Sequence, residues 1–196
     1  METKKNITGV VMAGGESSRM GTDKGVLEIN GKPMVEVIIS ALKPVVDDII
    51  IIANNSNYDY LGYKVYNDLI KKSGPLGGIY TALFYSETEK NLVISCDTPF
   101  VSSDLFSYLI QNANECDIVV PVHEGRNEPL CAVYTKKCTA MMKELIVKNE
   151  LKMQNVFNYF ITKELFLSEK QSFYNSKLFV NINTPEDLNT QQETIL

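Results

Sequence analysis

Histidine is nearly missing from this chain: among 196 residues only His123 carries an imidazole, so a multi-histidine metal site is excluded. Cysteine is scarce as well. The four cysteines, Cys96, Cys116, Cys131 and Cys138, include no pair at C-x-x-C spacing, which indicates neither a zinc ribbon nor a redox pair. An excess of positive charge is lacking. Nineteen Lys and Arg against 24 Asp and Glu give a net charge of -5, which argues against nucleic acid as a partner. A basic local pocket is still compatible with that balance. Long apolar runs are missing too, and the N-terminus shows no signal-peptide core, so no membrane segment is expected. What is present is ordinary for a soluble globular protein: 44% hydrophobic and 22% charged residues, on a chain long enough for a proper core. A reduced, cytoplasmic, enzyme-sized domain is the expectation.

Short apolar runs alternate with helical patterns. "ITGVVMAG" reads as a buried strand ended by glycine. "KPMVEVIISAL" has helical spacing, with Pro33 at its start and Pro44 past its end. "DDIIIIAN" and "YKVYND" read as strands, and "GPLGGIYTALFYS" as a helix opened by Pro75. "NLVISCD" is a strand and "SSDLFSYLIQNA" a helix capped by Ser102 or Ser103. "CDIVVPVH" and "PLCAVYT" are further strands. A helical stretch follows over 136–160, and "KLFVNIN" is expected as a last strand leading into a helix start at Thr184, Pro185, Glu186 and Asp187. Strands apolar throughout, alternating with helices, indicate a sheet covered on both faces. The expected fold is a single Rossmann-like, three-layer α/β domain over residues 1–196. Its central sheet is mixed but mainly parallel, and Gln191 to Leu196 are expected to fray.

Ligands of such sheets bind outside the carboxyl ends of the strands. Several polar groups follow strand-like runs: a glycine-rich segment, Asn54, Asp68, Asp97, and Asn181 with Asn183. The glycine-rich segment, "VVMAGGESSRMGTDKG", invites comparison with the NTPase phosphate loop. Its spacing differs. Five residues separate Gly15 from Gly21, and Thr22 and Asp23 precede Lys24, whereas that loop has four residues between its glycines and Lys directly after. The chemistry is nonetheless similar. Gly14 and Gly15 let the backbone turn and approach a phosphate, Arg19 can fork onto phosphate oxygens, and Lys24 adds a compact charge. The alternative is a surface turn with solvated charges. Asp97 likewise reads as a metal-binding carboxylate or as a turn residue before Pro99. "GPLGG" lines a pocket or simply starts a helix, and Asn181 and Asn183 are site residues or turn residues. Cys96 and Cys131 read as small buried hydrophobes, and His123 as a surface residue at a strand end.

The segment resembles the nucleotide signature of the molybdenum cofactor guanylyltransferases, an apolar strand followed by L-A-G-G-x-x-x-R-M-G-x-D-K. Met12, Ala13, Gly14, Gly15, Arg19, Met20, Gly21, Asp23 and Lys24 occupy it, with Met12 replacing leucine. The likeness continues in order through "GKP", "GPLGG", "CDTPF", "EPLCAVY" and "NINTPEDL", nearly the whole chain. It implies transfer of GMP from GTP to the phosphate of molybdenum-molybdopterin, forming molybdopterin guanine dinucleotide and releasing pyrophosphate. It implies Mg²⁺ as cofactor, held by Asp97, and transient contact with a cofactor insertase, chaperone or molybdoenzyme. Lys24, Asp97 and Arg19 would be catalytic. Nucleotide binding would fall to Met12, Ala13, Gly14, Gly15, Lys24, Asn54, Asp68, Gly74, Pro75, Leu76 and Asp97. Ile52 stands where some members carry a polar residue, with Asn54 the nearest substitute. Arg126, Asn181 and Asn183 are candidates for the acceptor. CMP transfer to molybdopterin, or nucleotidyl transfer to another small phosphate, is the alternative reaction, and a nucleotide-binding regulatory domain a further one. The attacking group is itself a phosphate, so the lack of a Ser/His/Asp or Cys/His set is consistent with this chemistry.

Overall fold

The structure is a computed structural model and describes residues 7–14, 24–184 and 186–187. Gly15, Arg19, Met20, Gly21, Asp23, Pro185 and Gln191 to Leu196 lie outside the described residues. In chain order the elements are β1 (Ile7–Met12), β2 (Glu28–Ile29), β3 (Lys32–Pro33), α1 (Met34–Leu42), β4 (Asp48–Ile52) and β5 (Lys64–Tyr66). They continue with α2 (Gly74–Tyr85), β6 (Lys90–Ser95), α3 (Ser103–Gln111), β7 (Ile118–His123) and β8 (Arg126–Asn127). β9 (Cys131–Thr135), α4 (Cys138–Val147), α5 (Met153–Val156) and β10 (Thr162–Phe166) complete the set.

The main sheet has the order β10-β7-β9-β6-β1-β4-β5, with β8 pairing on β7. β1 runs parallel to β4 and β6, β5 parallel to β4, and β10 parallel to β7, while β9 is antiparallel to both its neighbours. Side chains alternate across a strand, and the two faces separate accordingly. Val11, Ile49, Ile51, Leu92 and Ile94 pack with α1 and α3. Val10, Ile50, Ile52, Val93 and Val120 pack with α2 and α4. All six residues of β1 are buried, which is why it reads as a largely apolar run. Ser102 caps α3, accepting from Leu105 N–H at 3.3 Å. Pro75 sits in the first turn of α2, where its missing N–H costs nothing.

Two expectations for the C-terminal third are corrected. The helical stretch over 136–160 is broken: α4 ends at Val147, Asn149 takes φ 58, and only α5 and a 3-10 turn follow. β10 then adds an unexpected edge strand, registered from Thr162 opposite Ile118 to Phe166 opposite Val122. "KLFVNIN" forms no strand. Leu178 and Ile182 are fully buried against the core, but the backbone bonds are turns, from Leu178 N–H to Asn175 O and Val180 N–H to Lys177 O.

Candidate active site

The carboxyl ends of β1, β4, β5 and β6 share one rim, and pairing continues past their last residues. Ala13 N–H donates to Ile52 O (2.9 Å), Ala53 N–H to Tyr66 O (3.0 Å) and Cys96 N–H to Met12 O (3.0 Å). Gly14 leaves β1 exposed on this rim. A Cβ there would stand 3.7 Å from Asn54 Nδ2 and clash with nothing. The protein's own packing therefore does not demand glycine; a Cβ would make ordinary contacts with Ile52 O, Ala53 Cα and Asn54 Nδ2.

Asn54 and Asp68 form a reciprocal pair. Asn54 Nδ2 donates to Asp68 Oδ2 at 2.8 Å, and Asp68 N–H donates to Asn54 Oδ1 at 3.0 Å. Two residues on neighbouring strand ends are thus locked as one polar unit. The start of α2 reaches the same place. A Cβ on Gly78 would run into the Met12 methyl and lie 3.6 Å from Asp68 Oδ1, and one on Gly77 would meet Ser73 Cβ at 2.7 Å. The glycines of "GPLGG" thus let α2 pack closely at the rim. Gly74 takes φ +55, a conformation costly for other residues. Gly74 and Pro75 are exposed, whereas the Leu76 side chain is fully buried in the core. Ile52 is buried too, so Asn54 is the polar group available there.

Lys24 is the centre of a second cluster. It opens a 3-10 turn, Lys24–Val26. A Cβ on Gly25 would run into the Tyr58 hydroxyl, so glycine lets this turn sit against the buried tyrosine. The Lys24 ammonium lies 3.5 Å from Asp97 Oδ2 and donates to Asn183 Oδ1. Asp97 follows β6, and its backbone O accepts from Ile182 N–H at 2.8 Å, which pins the C-terminal segment to the rim. Asp187 holds Asn183 in turn, its Oδ2 accepting from the N–H groups of Asn183 (2.9 Å) and Thr184 (3.0 Å). Those bonds, that from Asn183 foremost, hold the Asp187 carboxyl below its usual range, with the Lys24 charge adding to them. Three contacts therefore bring Lys24, Asp97 and Asn183 together from three distant parts of the chain, and two more hold the last of these parts in shape.

Asn181 is exposed on the same segment. Arg126 is exposed on the β7–β8 hairpin, where its charge acts on Glu128. Beside this hairpin lies a cleft of about 310 Å³ lined by Asn127, Pro129, Lys152, Met153, Gln154 and Phe157. His123 corrects an expectation. It ends β7 as read, but it is 7% exposed, with ring centroids of Tyr174 and Phe179 at 5.7 and 5.2 Å. Cys96 and Cys131 are buried, as the sequence suggests. Burial pushes the Cys138 thiol up to about 12 and Cys131 higher still, so neither supplies a thiolate.

Glu128 carries a stability prediction. Burial raises its carboxyl from an ordinary value of 4.5 to about 7, with the Arg126 charge acting in the opposite sense. Between those values the folded chain holds a proton that the unfolded chain has released, so stability falls as pH rises through that window. Glu128→Gln removes the cost. Discounted for partial solvation, it should stabilise the protein by about 1 kcal/mol at pH 8. The gain should fade below pH 5. Urea melts at both pH values check this, and an equal effect at both would refute it.

The comparisons with known proteins agree with one another. The family described as MobA-like NTP transferase domain matches residues 9–162. The chain is 40% identical over 190 residues to a probable molybdenum cofactor guanylyltransferase of Flavobacterium johnsoniae, covering 96% of each. It is 34% identical over 186 residues to the molybdenum cofactor guanylyltransferase of Yersinia pestis, covering 93% of each. Molybdopterin-guanine dinucleotide biosynthesis protein A from Archaeoglobus fulgidus has a similar fold. Its TM-score is 0.79 at 23% identity, over 96% of this chain and 98% of that one. The fold also extends to 4-diphosphocytidyl-2C-methyl-D-erythritolsynthase from Anaerococcus prevotii, with TM-score 0.72 at 15% identity, over 96% and 95% of the two chains.

Proposed function

We propose, because the chain belongs to the MobA-like NTP transferase family and is a nucleotidyltransferase of the molybdenum cofactor guanylyltransferase kind, that it joins the phosphate of molybdenum-molybdopterin to the α-phosphate of GTP. An acceptor phosphate oxygen attacks the α-phosphorus, the bond to the β-phosphate oxygen breaks, and pyrophosphate leaves. One observation carries the reading: the Lys24 ammonium, flanked by Asp97 and Asn183, shares a rim with Gly14 and the Asn54–Asp68 pair. Two anionic reactants need charge neutralisation and alignment there more than an activated side chain. Gly14 leaves room for phosphate, Asn54 and Asp68 offer donors and acceptors to a nucleoside, and Lys24 neutralises the departing pyrophosphate.

Mg²⁺ fits this donor set. Asp97 and Asn183 place two hard oxygens around one cationic group, and Mg²⁺ is commonly held by one or two carboxylates with phosphates and water completing its shell. Among the described residues no three His, Cys, Asp or Glu side chains form a metal cluster. When bound, the ion would supply further charge neutralisation at the phosphates. Arg126 and the adjoining cleft would receive the acceptor. Hand-off to an insertase, chaperone or molybdoenzyme, in the cytoplasm, belongs to the same reading. No helix among the described residues is long and apolar enough to cross a membrane.

The test is turnover with GTP, CTP, ATP and UTP in Mg²⁺, read as pyrophosphate release with molybdopterin present. A site built to hydrogen-bond guanine leaves its polar groups unpaired with another base, so GTP should lead by about a hundredfold or more in kcat/KM. Comparable rates with CTP would replace GMP transfer by CMP transfer.

A further inference from the structure

Asp97 has two carboxylate oxygens, and they have different partners. Oδ2 lies 3.5 Å from the Lys24 ammonium. Oδ1 accepts a hydrogen bond from the hydroxyl of Ser95, the last residue of β6. Ser95 and Asp97 are two positions apart, and the chain keeps pairing with β1 between them through Cys96 N–H and Met12 O. The serine is 9% exposed and its backbone is held on both sides. Its N–H donates to Leu130 O at 2.8 Å, and its O accepts from Thr98 Oγ1 at 3.1 Å.

A hydroxyl on a backbone so fixed has a fixed origin, and a carboxylate bound to it loses freedom about χ2. A hydrogen bond to an ionised acceptor is also stronger than one between neutral groups. Without it, the Asp97 carboxylate keeps only its ion pair with Lys24 among the described residues, and its oxygens are freer to rotate about χ2. Asn183, whose Oδ1 also accepts from Lys24, is held through its main chain instead, its N–H donating to the Asp187 carboxylate.

We infer that Ser95 is a positioning residue for nucleotidyl transfer, its hydroxyl orienting the Asp97 carboxylate so that Oδ2 faces the Lys24 ammonium and the group stays on the rim where it would meet Mg²⁺. This rests on the reading of Asp97 given under Proposed function. Ser95 acts through Asp97 and touches no reacting atom. The contribution is one of alignment, and small misalignments of a charged group lower turnover more than they weaken substrate binding.

The experiment compares Ser95→Ala and Ser95→Thr with the wild type and with Asp97→Asn, all as full chains. Ser95→Ala should lower kcat about tenfold while changing the KM for GTP less than about threefold. Isothermal titration supplies a readout apart from turnover. The gain in GTP affinity on adding Mg²⁺ should shrink in Ser95→Ala, while affinity without metal stays as in the wild type. Ser95→Thr keeps a hydroxyl and suits a strand, and it should restore both quantities to within about twofold of the wild type. Wild-type kcat and an unchanged Mg²⁺ gain in Ser95→Ala would overturn the inference. Equal impairment in both serine variants would also overturn it, because it would assign the effect to packing instead of the hydroxyl. The Asp97→Asn arm separates the two levels: normal turnover there defeats the reading of Asp97 itself. An inactive Asp97→Asn beside a normal Ser95→Ala defeats only the role of Ser95.

Discussion

Replacing Lys24 with alanine is expected to leave the fold intact and to lower kcat about a hundredfold, a loss of about 3 kcal/mol in transition-state stabilisation. The fold should survive because the turn that presents Lys24 does not depend on its side chain. Leu27 N–H donates to Lys24 O, and Gly25 lies against Tyr58, contacts that alanine retains. The Asp97 carboxylate loses a partner, but it keeps the Ser95 hydroxyl and some contact with solvent, so stability without ligand should fall only modestly. Turnover differs. Charge moves onto the leaving pyrophosphate during the reaction, and an ammonium already held by Asp97 and Asn183 needs no reorganisation to meet it. Steady-state pyrophosphate release and a melt without ligand check the two halves. Unchanged kcat would remove Lys24 from the mechanism.

Much of the sheet was legible because β1 and β7 are buried throughout and β4 from Ile49 onward, so their sequences are mostly apolar. β10 carries no such signal. Of Thr162, Lys163, Glu164, Leu165 and Phe166 only Leu165 is buried, as befits an edge strand. The opposite error arose at residues 177–183. Leu178 and Ile182 are apolar because they are buried, but burial alone does not imply a ladder, and Ile182 N–H reaches only the backbone of Asp97. The rim residues Asn54, Asp68 and Asp97 were legible from their positions just after strands. Asn183 is legible in the sequence only as the end of an apolar run, yet it meets Lys24 from 159 positions away. Asp187 was legible as part of a helix start, through the cap in which its N–H donates to Thr184 Oγ1. Its hold on Asn183 was not, since that depends on where the segment docks. Ser95 was hidden inside an apolar run, and no local pattern distinguishes a serine that binds a carboxylate from one that fills space.

Asp97→Asn should give the larger loss, about a thousandfold in Mg²⁺-dependent turnover, because it removes the negative charge from the carboxylate paired with Lys24 and leaves its size unchanged. The amide oxygen can still accept from the Ser95 hydroxyl, and the backbone bond from Ile182 N–H to Asp97 O does not involve the side chain. Stability without ligand should therefore change little. A single carboxylate binds Mg²⁺ weakly by itself, so the ion is expected to arrive with the triphosphate and to raise GTP affinity in doing so. That coupling is the quantity Asp97→Asn should flatten: GTP should bind the variant about equally well with and without Mg²⁺. Asp68→Asn is the control. Its carboxylate accepts from Asn54 at 2.8 Å, in the other polar unit of the rim. Neutralising it should weaken GTP binding by a similar factor in both conditions and leave the gain from metal in place. Isothermal titration of both variants with GTP, with and without Mg²⁺, separates the two roles. Normal metal-dependent binding and turnover in Asp97→Asn would reduce Asp97 to a turn residue and move the metal site elsewhere on the rim.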